Sequence, residues 1–261
     1  MLSATQYKGM QVDYYLVDET RPTLVFLHDS LGCIELWRDF PQLLADAVGC
    51  NVLVYDRLGY GESIAMPTFE RPVDYLEKEA DLLNDILEHY TIKQAILFGH
   101  SDGGSIALIT AAKYPQRITA LICEAGHIFV EDITLNGIRE AINQYTTTDL
   151  KTRLAKYHSN KVEAIFKAWT LTWTREDFRD WNIEHLLPLI TCPLLFIQGR
   201  NDEFGSLKQL HTTVAAVSGN AEAFIVPNAG HTPHKEAKEA VIKEATSFIN
   251  EIKLILITDL K

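Results

Sequence analysis

The pattern with the clearest chemical meaning in this sequence is a G-x-S-x-G stretch from Gly99 to Gly103, which places Ser101 between two glycines. It follows an apolar, β-rich run directly and opens a helical pattern. The glycines allow a turn too tight for side chains, so the hydroxyl of Ser101 is lifted clear of the backbone. The N-terminus of the following helix offers free N–H groups to a developing oxyanion. These features predict that Ser101 is a nucleophile.

Two later residues have the types needed to activate that serine. A serine hydroxyl is a poor nucleophile unless a base takes its proton and a third group orients the base. Asp202 follows an apolar run and a glycine, and His231 follows the next apolar run and another glycine. The order Ser101, Asp202, His231 is the one expected of a particular fold. The sequence therefore predicts a Ser-Asp-His triad.

The elements that position these residues are short apolar runs alternating with amphipathic stretches. Runs typical of strands buried on both faces cover residues 23–28, 51–56, 94–99, 118–123, 194–198 and 221–226. Residues 11–17 alternate more and suit an edge strand. Helical patterns cover residues 74–90, 103–114, 207–217 and 235–253. This order predicts an α/β protein with a mostly parallel twisted sheet of about eight strands and helices on both faces.

Residues 126–187 break the alternation, because they contain helical patterns and no convincing buried strand. Residues 174–177 have a capping-box pattern, which predicts a helix start there. We expect a helical lid inserted into a core made of residues 1–125 and 188–261. The aromatic residues at positions 166, 169 and 173 share one helix face and either pack the lid onto the core or line an apolar pocket. The candidate pocket residues are Trp169, Trp173 and Phe129.

On these motifs the chain resembles the α/β-hydrolase family over nearly its whole length. Two further stretches carry the resemblance: residues 28–32 are similar to the family's His-Gly loop, and residues 56–63 match its D-x-x-G-x-G-x-S turn. The resemblance implies that the backbone N–H groups of Ser30 and Asp102 form an oxyanion hole. The chain departs from the family pattern at Asp29, where a glycine usually follows the loop histidine. Glu124 is an alternative triad acid, because some family members carry the acid after the preceding strand.

The same resemblance implies a cofactor-free serine hydrolase of the carboxylic ester class, acting on a small, largely apolar ester or lactone. A serine nucleophile is unlike the aspartate of haloalkane dehalogenases and epoxide hydrolases. Lidded relatives also cleave carbon–carbon bonds in diketones and related acids, and fold and triad do not fix the substrate. Cofactor-free dioxygenation is a more distant alternative, prompted by His28 and Asp29. A ligand-binding receptor or pseudoenzyme is an alternative of another class. No cofactor or metal is expected.

Composition and charge exclude other classes of protein. The 261 residues include 24 Lys and Arg against 35 Asp and Glu, a formal net charge of −11, which argues against a nucleic-acid partner. The sequence contains neither a signal-peptide pattern nor an apolar run near the roughly 18 residues of a membrane span. Four scattered cysteines form no disulfide or zinc pattern. We expect a cytoplasmic protein with a small-molecule substrate and no membrane partner. The apolar tail at 253–261 could extend the last helix or contact a partner.

Overall fold

Eight strands form one sheet in the computed structural model, which describes residues 2–258. The strands are β1 (Leu2–Tyr7), β2 (Met10–Tyr15), β3 (Thr23–Leu27), β4 (Asn51–Tyr55), β5 (Ala95–His100), β6 (Ile118–Glu124), β7 (Leu194–Gly199) and β8 (Ala221–Val226). Their order in the sheet is β1-β2-β4-β3-β5-β6-β7-β8. β1 and β2 pair antiparallel with their neighbours, and the remaining pairs are parallel. The predicted α/β class with a mostly parallel sheet is confirmed, whereas strand β1 was missed.

Helices cover both faces of this sheet. In the described residues they are α1 (Ile34–Trp37), α2 (Phe40–Val48), α3 (Tyr75–His89), α4 (Asp102–Lys113), α5 (Asp132–Thr147), α6 (Leu150–His158), α7 (Val162–Thr174), α8 (Leu207–Ala216), α9 (Pro233–Glu236) and α10 (Lys238–Thr258). Successive side chains of a strand point to opposite faces, so the buried strands feed two apolar cores. In β3, Leu24 and Phe26 join the core under α2 and α10, while Val25 and Leu27 join the core under α3, α4 and α8.

The strand order reverses next to β3. From β3 the chain moves to β4 on one side, and from β5 onward it builds the sheet on the other side. In open parallel sheets such a reversal leaves a crevice outside the carboxyl ends of the strands, where ligands bind. The loop after β3 and the turn after β5 flank this crevice, so both are placed to supply functional groups.

The chain between β6 and β7 contains helices α5, α6 and α7 and three short 3₁₀ helices at Ser159–Lys161, Glu176–Phe178 and Glu184–Leu189. The last of these crosses the boundary predicted after residue 187. The predicted capping box at residues 174–177 does not form, although a short 3₁₀ helix begins at Glu176. Thr174 is the last residue of α7, and its hydroxyl donates to the Thr170 carbonyl at 2.7 Å inside the same helix.

The helix predicted at 235–253 is divided at Ala237, whose φ of −140° interrupts it between α9 and α10. Helix α10 continues to Thr258, and the Lys253 ammonium donates to the carbonyl of Val48 at the end of α2. The final residues of the predicted apolar tail, 259–261, lie outside the described residues. Among residues 2–258, none of the helices combines the length and apolar character needed to cross a membrane.

Candidate active site

Ser101 lies at the sharp turn between β5 and α4, with φ 55° and ψ −119°. A positive φ is uncommon for a residue with a side chain, and such strain persists only where the surroundings enforce it. The turn closes because both flanking positions are glycine. A Cβ at Gly99 would collide with the carbonyl of Gly103, and a Cβ at Gly103 would collide with the carbonyl of Leu27. The tight turn lifts the Ser101 hydroxyl above the sheet, as the sequence predicts.

Ser101, His231 and Asp202 form a continuous hydrogen-bond chain. His231 Nε2 lies 2.9 Å from Ser101 Oγ, and His231 Nδ1 lies 2.8 Å from Asp202 Oδ1. Asp202 Oδ1 also accepts the backbone N–H groups of Phe204 and Gly205 at 2.9 and 3.2 Å. Asp202 Oδ2 accepts the Gln198 side-chain amide at 3.1 Å, so both carboxylate oxygens are held in place beside the imidazole.

The electrostatics of the pair favour a basic imidazole. Burial opposes ionisation of Asp202, but the charge and hydrogen bond of His231 outweigh burial and lower the pKa of Asp202 to about 2. Burial alone would lower the pKa of His231, but Asp202, with smaller contributions from Glu203 and Asp29, raises it above its ordinary value of 6.5. The neutral imidazole can therefore take a proton from Ser101 and hold it beside the carboxylate.

The two predicted oxyanion-hole residues, Ser30 and Asp102, line the same cavity as Ser101. Asp102 is the first residue of α4, and an N–H at this position has no acceptor within its helix. Ser30 follows β3 and is buried. The adjacent parallel strands β3 and β5 thus bring both residues to one side of Ser101.

The carboxylate of Asp102 is engaged beneath the cavity rather than left as an isolated charge beside the nucleophile. Its Oδ2 lies 3.4 Å from Arg57 Nη1 and 3.8 Å from Arg71 Nη1, and it accepts the Tyr75 hydroxyl at 3.2 Å. The Tyr75 oxygen in turn accepts the indole N–H of Trp173 at 2.9 Å. This chain of contacts ties helix α7 to the nucleophile turn.

The cavity at Ser101 has a volume of about 190 Å³. Its lining residues are Asp29, Ser30, Leu31, Ser101, Asp102, His127, Thr134, Ile138, Ala141, Trp169, Trp173, Glu203, Phe204, His231 and Thr232. Two of the three pocket residues suggested by the sequence, Trp169 and Trp173, are therefore in its wall. Phe129 is not, because it forms an isolated β-bridge with Asn182 and its ring faces the Lys208 ammonium at 4.8 Å. The prediction that Phe129 lines the pocket is therefore wrong.

Glu124, the alternative triad acid, is paired with a different histidine. Its carboxylate accepts both the backbone N–H of His234 at 2.6 Å and His234 Nδ1 at 2.5 Å. His100 lies beside this pair and donates from Nε2 to the His231 carbonyl at 2.8 Å. His234 is almost fully buried. The arrangement supports the loop that carries His231 from two neighbouring strands, β5 and β6.

The ligand-type atoms of His100, Glu124 and His234 all lie within 4.8 Å of one another, a grouping that could hold a metal ion if its geometry allowed. First-row metals hold nitrogen and oxygen ligands at about 2.0–2.2 Å with roughly tetrahedral or octahedral angles. The 2.5 Å separation of His234 Nδ1 and Glu124 Oε2 is too short for two ligands of one metal ion and is that of a direct hydrogen bond. The cluster does not fit a metal ion as arranged.

His127 and Glu203 are cavity residues that the sequence analysis did not single out. His127 follows β6, its Nε2 donates to the Phe204 carbonyl at 3.1 Å, and burial lowers its pKa. Glu203 follows Asp202, the predicted triad acid, and accepts the backbone N–H of His231 at 3.2 Å. Both stand one to three residues after a strand end or a predicted catalytic residue. That position is the signal that could have identified them.

Comparison with known proteins agrees with this architecture. A family model described as the α/β-hydrolase fold matches residues 22–140. The chain is 31% identical over 201 residues to the serine hydrolase BPHL of Mus musculus, covering 74% of this chain and 68% of that protein. It is 27% identical over 254 residues to 2-succinyl-6-hydroxy-2,4-cyclohexadiene-1-carboxylate synthase of Enterobacter sp., covering 84% and 88% of the two chains.

A solved structure has the same fold at lower sequence identity. An α/β-hydrolase enzyme from a Medee basin deep-sea metagenome library superposes with a TM-score of 0.75 at 20% identity, covering 95% of this chain and 97% of that chain. The strand order, the nucleophile turn and the sequence relatives agree, and the chain belongs to the α/β-hydrolase fold family as one of its hydrolases.

Proposed function

We propose that this hydrolase is a cofactor-free serine esterase or lactonase that cleaves a small carboxylic ester through Ser101, His231 and Asp202. The observation that carries the proposal is the hydrogen-bond chain from Ser101 Oγ through both ring nitrogens of His231 to Asp202. Such a chain activates a hydroxyl that is otherwise a poor nucleophile. The cavity of about 190 Å³ suits a small substrate, and its Trp169 and Trp173 walls suit an apolar group.

Each residue has a defined part in the proposed reaction. Ser101 Oγ attacks the carbonyl carbon while His231 Nε2 takes its proton, and Asp202 stabilises the imidazolium that forms. The backbone N–H groups of Ser30 and Asp102 bind the oxyanion of the tetrahedral intermediate. The imidazolium then returns its proton to the leaving alcohol, and an acyl group remains on Ser101. A water molecule activated by His231 hydrolyses that acyl-enzyme.

Hydrolysis of a carbon–carbon bond is the second candidate. It is favoured by a 26% identity to a 2-hydroxy-6-oxononadienedioate/2-hydroxy-6-oxononatrienedioate hydrolase of Paraburkholderia phymatum over 93% of this chain. The triad is compatible with both reactions. A panel of esters, lactones and diketones separates them by kcat/KM. An ester or lactone preference supports the first candidate, and a diketone preference supports the second.

The substitution Ser101→Ala tests the nucleophile. We expect it to abolish turnover of p-nitrophenyl acetate and butyrate, because losing the nucleophile of a triad costs on the order of 10⁴-fold or more in rate. Ser218→Ala, at an exposed serine, is the matched control and should keep full activity. Retained activity in Ser101→Ala would overturn the assignment. Absence of any turnover in the wild type would favour a ligand-binding role for the fold.

We also propose that the protein works in the cytoplasm. All four cysteines are buried free thiols, and burial raises the pKa of Cys33 to about 12 and that of Cys192 to about 11. Such thiols act as small apolar side chains. Four free cysteines are typical of a protein from a reducing compartment, where disulfides are rare. Fractionation of the source cells, with detection of the protein in the cytoplasmic fraction, tests this location.

A further inference from the structure

Arg57 is a fully buried charged residue that the proposed chemistry does not use. It follows β4 directly, within the D-x-x-G-x-G-x-S stretch at residues 56–63. Its relative exposure is 1%, and its guanidinium lies 4.7 Å from the ring centre of Tyr60. Burying a charge is costly unless it is paired and hydrogen-bonded. The two polar contacts of the guanidinium indicate what this buried charge does in the structure.

The Arg57 guanidinium reaches Asp102 and the peptide unit that carries the Ser30 N–H, the two sources of the proposed oxyanion hole. Nη2 donates to the backbone carbonyl of Asp29 at 2.8 Å, and Nη1 lies 3.4 Å from Asp102 Oδ2. Strands β4, β3 and β5 are neighbours in that order in the sheet. Arg57 therefore reaches from the end of β4 across the loop after β3 to the start of α4 after β5. A planar guanidinium holds two acceptors in a fixed geometry that a lysine ammonium does not reproduce.

The carbonyl of Asp29 has a second donor that is also tied to Arg57. The backbone N–H of Arg57 donates to His28 Nε2 at 3.1 Å, so Nε2 is the acceptor of that ring. The proton of the neutral imidazole is then on Nδ1, which lies 2.7 Å from the Asp29 carbonyl oxygen and donates to it. Burial and the charge of Arg57 lower the pKa of His28 well below its ordinary value, which agrees with a neutral ring.

These contacts determine the direction of the Ser30 N–H. The carbonyl of Asp29 and the N–H of Ser30 belong to one peptide unit, which is planar and trans. In such a unit the two groups point in opposite directions. The carbonyl is held by Arg57 and His28, and it also accepts the Gly32 backbone N–H at 3.3 Å. Because the carbonyl is fixed by these donors, the Ser30 N–H is directed away from them, toward the cavity that Ser30 lines with Ser101.

We infer that Arg57 is a positioning residue that holds the Asp29–Ser30 peptide and the Asp102 side chain, and with them the two proposed oxyanion-hole N–H groups, at a fixed separation around Ser101. This inference rests on the proposed esterase function. It also explains how this loop can contain Asp29 at a position where the family usually has glycine. The loop is fixed through the backbone carbonyl of that residue, and its side chain takes no part in the contact. An oxyanion hole binds the transition state more strongly than the substrate, so loss of this support should reduce kcat and leave KM nearly unchanged.

The test compares Arg57→Met, which keeps the apolar stem and removes all donors, with Arg57→Lys, which keeps one charged donor. The readouts are kcat and KM for p-nitrophenyl butyrate, the inhibition constant of phenylboronic acid, and the second-order rate of Ser101 labelling by a fluorophosphonate. A boronate bound to serine is tetrahedral and places an oxygen in the oxyanion hole. Rates are normalised to the fraction of enzyme that the fluorophosphonate labels at completion, so loss of folded protein is not counted as loss of catalysis.

We expect Arg57→Met to lower kcat and boronate affinity together, on the order of 10- to 100-fold, because small displacements of catalytic groups have effects of this size. Arg57→Lys should lie between Met and the wild type. Arg71→Lys is the matched control, since the Arg71 side chain also lies beside Asp102, with a relative exposure of 9%, but has no bond to the Asp29 carbonyl. It should keep a near wild-type boronate affinity.

An unchanged kcat and boronate affinity in folded Arg57→Met overturns the positioning role, as does an equal loss in Arg71→Lys. If Arg57→Met does not fold, the same comparison made with Arg57→Lys decides, and wild-type values there overturn the role. Failure of the proposed function looks different, because the wild type itself would then be neither labelled at Ser101 nor active. That result overturns both proposals.

Discussion

His231 Nε2 lies 2.9 Å from Ser101 Oγ, although the two residues are 130 positions apart in the chain. The contact exists because β5 ends at the nucleophile turn and β8 ends before the histidine loop, on the same edge of one sheet. The loop is then held by contacts that do not involve the substrate. His100 donates to the backbone carbonyl of His231, and the Glu124 carboxylate accepts the backbone N–H of His234. These contacts hold the His231 loop through its own backbone and its neighbours.

The pH dependence of catalysis should report the environment of His231. The imidazole accepts the Ser101 proton only when neutral, so kcat/KM should fall as the pH drops through its pKa, which lies above 6.5. Glu203→Gln removes one of the carboxylates that raise this pKa and leaves the triad intact. Its acidic limb should therefore move to lower pH. A pH–rate profile with p-nitrophenyl butyrate measures the shift, and a limb that moves to higher pH would contradict the assignment.

The two acid–histidine pairs should respond differently to loss of charge. Asp202→Asn leaves His231 without the acceptor that fixes its tautomer, so kcat should fall on the order of 10⁴-fold. Glu124→Gln disturbs the bond to His234, and we expect a loss of about 1–3 kcal/mol in the free energy of unfolding with a much smaller effect on kcat. Urea unfolding and steady-state kinetics of both variants provide the comparison. The reverse ranking of kcat would make Glu124 the functional acid.

The aromatic wall of the cavity should set the size of the substrate. Trp169→Ala removes a large side chain from the lining and should raise kcat/KM for longer p-nitrophenyl esters relative to the acetate. Each added methylene that finds a place in an apolar pocket contributes roughly 1 kcal/mol, or several-fold in rate. Leu171→Ala, on the exposed side of the same helix α7, is the control and should leave the chain-length profile unchanged. An unchanged profile in Trp169→Ala would place substrate elsewhere.

Buried strands and the nucleophile turn could be predicted because their signals are local. The apolar residues 95–98 specify the strand, and Gly99 and Gly103 after them specify the tight turn. Strand β1 could not be predicted because it is the edge strand and pairs only with β2. A strand with an exposed face does not need the continuous apolar run that identifies a buried strand. The hairpin turn of β1 does contain a signal, since Lys8 and Gly9 both have positive φ and Gly9 favours that conformation.

Contacts between distant segments could not be predicted in the same way. Which loops meet at this edge of the sheet decides three features: the two guanidinium contacts of Arg57, the Glu124–His234 pair, and the absence of Phe129 from the cavity wall. No periodicity or spacing encodes such meetings. Sequence reasoning therefore reached the order of Ser101, Asp202 and His231, while the groups that support them required the structure.

Direct detection of an acyl group on Ser101 tests the central claim of covalent catalysis. The wild type is mixed with p-nitrophenyl butyrate, quenched with acid within the first turnovers, digested and analysed by mass spectrometry. We predict a butyryl adduct on the peptide containing Ser101, formed at the rate of the p-nitrophenol burst, and no adduct in Ser101→Ala. Turnover without an adduct on that peptide, or with an adduct on another residue, would contradict the account.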